Sequence, residues 1–331
     1  MYSPAANGGT LEVVVSNAAQ NSVDKHKHLK YIMIAGPTAS GKSQLAVELA
    51  RALNGEVVNA DSMQLYSDLS ILTARPSAQD MGDIAHHLYG VLDGAKRSSV
   101  AVWLGLAAEA MAKIRARGRM PIVIGGTGMY LDAAMNGIAP TPAVPLKIHN
   151  AATTLYHDIG GAAFRQKLNV LDPTAAAKLV DGDRQRLIRA MGVVIATGIP
   201  LSTWQAVAHE GALEGRPIKL AILPPRKILY KYIDDRFDLM LESEAVQEAR
   251  RLARRRLDPT LPVMKALGLS ALISVLNDEI TLEEASYIGK RDSRRYAKRQ
   301  MTWLRNNYNA HITINKKLSK SLVENIFSII R

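Results

Sequence analysis

Residues 31–53 read YIMIAGPTASGKSQLAVELARAL, and three short patterns inside them decide the fold. Tyr31 to Ala35 is an apolar run of strand length that stops at a glycine. Gln44 to Leu53 sets apolar residues at 45, 46, 49, 50 and 53, the spacing of a helix with one buried face. Between them Gly36-Pro37-Thr38-Ala39-Ser40-Gly41-Lys42-Ser43 fits G-x-x-x-x-G-K-[ST] at each fixed position. The glycines let backbone N–H groups converge on an anion, the helix N-terminus adds positive potential, and Lys42 supplies a point charge. The pattern predicts a site for a di- or triphosphate, with the Ser43 hydroxyl as a ligand for Mg²⁺.

Outward from this segment, Glu56 to Asn59 and Pro121 to Ile124 read as further buried strands, with a helix from about Ser99 to Arg117 between them. Alternating strands and helices predict an α/β fold, a parallel sheet flanked by helices of the P-loop NTPase-like kind. APTPAVP (139–145) cannot continue a helix and marks a boundary. Residues 145–207 read as a helical insertion. The chain returns to the sheet at Lys219 to Leu223, and the remainder is mostly helical, with long periodic stretches over Asp234–Arg256 and Leu282–Asn306. The expected domains are therefore a core of 31–144 and 208–331, with its C-terminal helices packed on it, and the insertion 145–207. Residues 1–30 are expected to form a disordered tail, in which Leu11 to Val15 offer at most an edge strand.

The chain has 331 residues, of which 47% are apolar and 22% charged, enough for about two ordinary globular domains. Its 42 basic and 30 acidic side chains leave a formal charge of +12, and a polyanion is the natural partner. The excess is uneven: residues 184–305 hold 22 basic and 14 acidic side chains. A solvated surface is the ordinary account of a run such as Arg250, Arg251, Arg254, Arg255 and Arg256, but charge concentrated in one half points to nucleic acid. Zero cysteines exclude disulfides, thiol nucleophiles and Cys-ligated zinc or iron–sulfur centres. No apolar run reaches membrane-spanning length, and the opening residues lack the pattern of a secretory signal, so the expectation is a cytoplasmic protein without a membrane partner.

Two further segments fall at the sheet edge where such folds bind ligands. Ala60-Asp61-Ser62 follows the second strand, making Asp61 a metal ligand, a general base or a turn cap. Ile124-Gly125-Gly126-Thr127-Gly128 closes the next strand, and Thr127 reads equally as a ligand contact or a helix cap. That strand ends without the acidic residue a typical ATPase uses to hold magnesium.

Together these segments resemble the tRNA dimethylallyltransferase family, also called tRNA isopentenyltransferase. The resemblance rests on GPTASGKS (36–43), NADSMQLY (59–66), TARP (73–76) and GGTGMYLDA (125–133). It continues through DRQRLIRAM (183–191), DDRFDLML (234–241), MKALG (264–268) and YAKRQMTWLR (296–305). The family resemblance implies transfer of a dimethylallyl group from dimethylallyl diphosphate to the exocyclic amine of the adenosine 3′ of the tRNA anticodon, with release of diphosphate. It implies Asp61 as general base, Arg236 on the diphosphate and Thr127 beside the adenine. For Arg236 the competing reading is a helix-surface ion pair with Asp234, Asp235 or Glu242. Asp61, Ser62, Met63 and Gln64 match one tRNA-contacting segment of the family. Gln185, Arg186, Leu187, Ile188 and Arg189 match a second, and Met264 to Leu269, with Lys265 as its charge, a third. Tyr296, Lys298, Arg299, Gln300 and Trp303 recur in the family's terminal helix, where Trp303 is expected in the core.

The chain departs from the family pattern at His149, where an arginine usually touches tRNA, and at Leu72, Leu269 and Ser293. The zinc finger of eukaryotic relatives is missing, so the resemblance is to the bacterial type, expected to act as a monomer. Three other functions fit parts of the chain. A P-loop kinase using ATP accounts for 36–61, an RNA-binding module without chemistry accounts for the charge, and a free-nucleotide isopentenyltransferase shares the fold.

Overall fold

A computed structural model describes residues 29–316 and 319–330 of the chain. The expected tail therefore lies outside the described residues apart from its last two, and Lys30 already belongs to the first strand, paired in register with Arg216.

Among the described residues six strands form one sheet: β1 (Lys30–Ala35), β2 (Gly55–Asn59), β3 (His86–His87), β4 (Met120–Gly125), β5 (Arg216–Ile222) and β6 (Ile312–Ile314). Their order is β3-β2-β4-β1-β5-β6 and all five pairings are parallel. β1, β2 and β4 are buried on both faces, as continuous apolar runs of a helix-covered parallel sheet should be. The helix Lys42–Leu53 turns Leu45, Ala46, Leu49 and Ala50 onto Ile32, Ile34, Val57, Ile122 and Leu220 of the sheet. Val100–Ala116 is capped by the Ser99 hydroxyl, which accepts from Val102 N. It buries Trp103, whose indole N–H donates to Asn59 O at 2.7 Å. All strand C-termini, and hence the phosphate loop, Asp61 and Thr127, fall at one edge of the sheet.

Four of the six strands match the expected runs within a residue or three. β3 and β6 are two and three residues long, too short to show a period, and exist because β2 and β5 offer them an edge. The periodic stretch Asp234–Arg256 falls on two helices, Arg226–Glu242 and Ala245–Arg254. The break at Ser243, whose hydroxyl donates to Met240 O, carries no glycine or proline to announce it.

The chain divides into two compact units, residues 1–135 with 213–331, and 136–212. The second unit is wider at both ends than the expected insertion 145–207, because the bridge between Ile138 and Glu210 closes its base. Apart from that bridge its regular elements are helices, with a small core around Phe164, Leu168, Leu187 and Met191. Its long helix, Leu146–Leu171, bends at Gly160, where φ is +74°.

Candidate active site

The phosphate loop leaves β1 at Gly36, where a Cβ would stand 2.7 Å from Ser40 Oγ and 2.8 Å from Ile222 O. Ala39 at φ +61° and Gly41 at φ +92° turn successive N–H groups toward one centre. Lys42 Nζ donates to Pro37 O at 2.7 Å across the loop, and burial lowers its pKa to about 8 against the opposing pull of Asp61. Together with Asp61, Gln64, Tyr89 and Arg236, residues 38–43 line a cavity of about 310 Å³.

Asp61 is set by its neighbour Asn59, the buried last residue of β2. Asn59 Oδ1 accepts from Asp61 N at 2.8 Å while Nδ2 donates to Asp61 O at 3.0 Å and Leu88 O at 2.9 Å. Asp61 Oδ1 accepts from Met63 N at 3.0 Å. Desolvation raises the Asp61 pKa above the ordinary aspartate value, although that hydrogen bond and the nearby Lys42 and Arg236 charges pull the other way. The carboxylate is thus held more basic than usual beside two cations, and it is not consumed by capping alone.

Arg236 reaches the loop from the helix Arg226–Glu242, donating to Thr38 Oγ1. Two of its three competing surface partners are paired elsewhere: Asp234 accepts from Arg294 at 2.6 Å and Asp235 from Lys231 at 2.8 Å. Burial lowers its pKa to about 10, so it stays charged at neutral pH.

A second cavity, about 240 Å³, adjoins the first and shares Thr38, Asp61, Thr73 and Arg236 with it. Its apolar wall is Met63, Leu72, Phe237 and Met240, and its polar rim Ser62, Lys265, Ser293, Tyr296 and Arg299. Thr127 sits behind this cavity, where its Oγ1 accepts from Ser62 N at 3.3 Å and meets the Tyr296 hydroxyl. Gln64 donates its amide to Thr73 O at 2.9 Å and Ala74 O at 3.1 Å, so its donor group braces the neighbouring turn.

Some expected contacts are placed elsewhere. Leu187 and Ile188 are buried in the core of the second unit, because positions 187, 188 and 191 form the apolar stripe of their helix. Their side chains therefore cannot meet RNA, whereas Gln185, Arg186 and His149 are exposed on that unit. Trp303 is half-buried rather than core, with its ring laid over Gly128, where a Cβ would stand 2.5 Å away. Part of the basic half is neutralised internally, as in Arg255 bridging Asp68 and Asp93.

Three site residues received no role from the sequence. Asn59 and Gln300 lie inside quoted motifs, but nothing local shows what they bind. Glu248, 1% exposed, accepts from Ser70 N (2.6 Å), Ser70 Oγ (2.9 Å), Ile71 N (3.0 Å) and Leu72 N (2.8 Å), fixing the loop that carries Leu72 and Thr73 into the cavities. It sits in an ordinary amphipathic helix with no signal of that task.

A phosphate loop that opens past one carboxylate into a second, partly apolar cavity defines a P-loop transferase with room for a phosphorylated donor and an acceptor. Comparison with known proteins gives the family. The family model described as IPP transferase matches residues 64–307, and that described as Isopentenyl transferase matches 29–89. The chain is 47% identical over 299 residues to the tRNA dimethylallyltransferase of Parvibaculum lavamentivorans, covering 90% of this chain and 95% of that one. It is 47% identical to that of Hyphomonas neptunium, covering 82% and 87%. Among solved structures, the tRNA isopentenylpyrophosphate transferase of Bacillus halodurans matches with a TM-score of 0.66 at 33% identity, over 91% of this chain and 95% of that one. A eukaryotic dimethylallyltransferase acting on tRNA matches with a TM-score of 0.71 at 30% identity, over 83% and 69%. The chain belongs to the tRNA dimethylallyltransferase family.

Proposed function

We propose that the two cavities hold, respectively, the diphosphate of dimethylallyl diphosphate and the reacting adenine of tRNA, with Asp61 between them as the general base. The protein is a tRNA-modifying prenyltransferase. The observation that carries the site reading is that Asp61 and Arg236 line both cavities at once.

In this reading the N⁶ amine of the adenosine 3′ of the anticodon attacks C1 of the dimethylallyl group. The N–C bond forms as the C1–O bond breaks, the electron pair leaves with diphosphate, and the amine's proton passes to the Asp61 carboxylate. That amine is a weak nucleophile because its lone pair is delocalised into the purine, so proton removal is the assistance it needs, and the raised pKa of Asp61 suits it. Charge building on the leaving oxygen is met by Lys42, Arg236 and the loop N–H groups, preorganised donors worth about 3–4 kcal/mol each in comparable sites. The Thr127 hydroxyl, oriented by Ser62 N and Tyr296, places the amine.

The site also fits Mg²⁺. Ser43 lines the phosphate cavity beside the loop, and among the described residues no cluster of three or more acidic or histidine side chains offers an all-protein cage. Mg²⁺ favours that arrangement, one or two protein oxygens with phosphate oxygens and water completing the shell. It would supply countercharge to the diphosphate, with Ser43 as its protein ligand.

An adenine stacked in the anticodon loop has to be extruded to reach the second cavity. Lys265, exposed on its rim, and His149, Gln185, Arg186 and Arg189 on the second unit are the proposed tRNA contacts, with the enzyme acting as a monomer. No helix among the described residues is long and apolar enough to cross a membrane.

The test is transfer of labelled dimethylallyl from its diphosphate into unmodified tRNA, with AMP and ATP as parallel acceptors. Label enters tRNA only. Asp61→Ala lowers single-turnover transfer by about 10²–10⁴-fold while tRNA still binds; a near-parental rate in that variant removes Asp61 as the base.

A further inference from the structure

Gln300 lies on the helix Leu282–Asn307 and is 5% exposed. Both ends of its amide are spent on the site. Oε1 accepts from Thr38 N at 2.9 Å, Nε2 donates to Gly126 O at 2.9 Å, and the Tyr296 hydroxyl, which also meets Thr127, lies within hydrogen-bond reach of the same amide. Thr38 belongs to the phosphate loop, and Gly126 precedes Thr127. One side chain from the C-terminal half thus joins the two glycine-rich turns that leave β1 and β4.

The surroundings are built for this amide. A Cβ at Gly126 would stand 2.3 Å from Gln300 Nε2 and 2.7 Å from Gly36 O, so glycine at 126 is what lets the amide in. Thr38 is held at two points, its N–H by Gln300 and its Oγ1 by Arg236. The Thr38 N–H is therefore directed at Gln300 rather than into the phosphate cavity, and the loop binds its anion with the N–H groups that follow. A buried polar group keeps such a position only when its donors and acceptors are all matched.

We infer that Gln300 is a positioning residue for prenyl transfer: its amide sets the spacing between the phosphate loop and Thr127, and so between the donor's leaving group and the acceptor amine. This rests on the reading of the two cavities given above. The two backbone contacts are chemically specific, one acceptor facing Thr38 and one donor facing Gly126; the titratable group beside them is the Tyr296 hydroxyl, whose pKa burial raises so that it stays protonated across this pH range. Gln300→Glu keeps shape and acceptor but sets a carboxylate oxygen against the Gly126 carbonyl. Protonation of the introduced carboxyl restores an O–H donor there. Gln300→Leu removes both bonds and titrates nothing.

The experiment measures kcat/KM for tRNA prenylation from pH 6 to pH 8.5 in the parent and both variants. Gln300→Glu is expected to run at least about tenfold below the parent at pH 8, with the ratio of variant to parent climbing toward one as pH falls. Gln300→Leu is expected to be low with a flat ratio. A flat ratio for Gln300→Glu, or a parental rate at pH 8, overturns the proposal. If Gln300→Glu does not fold above neutral pH, Gln300→Met is read by its affinity for inorganic pyrophosphate, expected to fall at least about fivefold as the loop loses its tether. Unchanged affinity overturns the proposal. A parent protein that prenylates no tRNA refutes the reading of the cavities instead, and the pyrophosphate measurement still reports on Gln300.

Discussion

The two cavities of the site are built in opposite ways. The phosphate cavity takes seven of its sixteen lining residues from one unbroken run, Thr38 to Gln44, and its anion-binding geometry is a property of that run's backbone. The second cavity is assembled from Thr38 and residues 61–63, 72–73, 233–240, 265–267 and 293–299, brought together only by the fold. A contiguous site is set by local dihedrals and tolerates distant change, whereas a dispersed one depends on the side chains that hold its segments in place. Arg236 and Asp61 belong to both, and removing either should hurt most.

Arg236→Ala is expected to lower kcat by about 10²–10³-fold, since the proposed reading makes this buried cation a donor to the leaving group. Arg236→Lys should recover only part of this, because an ammonium lacks the planar fork that could hold Thr38 and, in the proposed reading, a diphosphate at once. Rates with saturating tRNA decide it, and a rate within threefold of the parent would place the diphosphate elsewhere.

Glu248→Gln sharpens the difference between the cavities. The carboxylate takes four hydrogen bonds from residues 70–72, and an amide in its place turns one oxygen acceptor into a donor facing backbone N–H. Leaving buried donors unmatched costs about 1–3 kcal/mol, readable in urea unfolding. The kinetic effect should fall on the acceptor: KM for tRNA rises several-fold while pyrophosphate affinity changes little. An equal loss in both would mean that loop 70–76 serves the phosphate cavity as much.

Lys42 gives the phosphate cavity a pH dependence. Burial holds its pKa down to about 8, and a bound diphosphate favours the protonated form. Donor affinity is therefore full below pH 8 and declines as pH rises through about 8, approaching tenfold per unit. Lys42→Arg does not titrate in this range, so its affinity should stay flat there even if weaker overall. At the acid end, transfer falls as Asp61 is protonated, at a pH above the ordinary aspartate range.

The same contrast explains what the sequence made legible. Strands β1, β2, β4 and β5, the phosphate loop and the placement of Asp61 at the sheet edge all follow from local runs and their order. Arg236 was recognisable only by family resemblance, since beside Asp234 and Asp235 it looks like a surface ion pair. The structure releases it by giving those carboxylates to Arg294 and Lys231. Gln300 and Glu248 act across 262 and 178 residues of sequence, and no local period encodes such a partner. β3 and β6 were invisible for a related reason, being strands only because a neighbour's edge is free.

The smallest expected effect lies on the rim. Lys265 is exposed and lines the second cavity, and in the proposed reading its charge meets an RNA phosphate without entering the chemistry. Each phosphate contact to single-stranded RNA contributes about −0.7 to the slope of log K against log salt. Lys265→Ala should make the tRNA-binding slope shallower by about that amount, with pyrophosphate affinity and the single-turnover rate at saturating tRNA unchanged. Arg186→Ala on the second unit should give a similar increment if that surface holds the same tRNA, and the double variant should then lose about twice as much. A slope that Lys265→Ala leaves untouched, alongside a lower rate, would move this lysine from the RNA rim to the acceptor cavity itself.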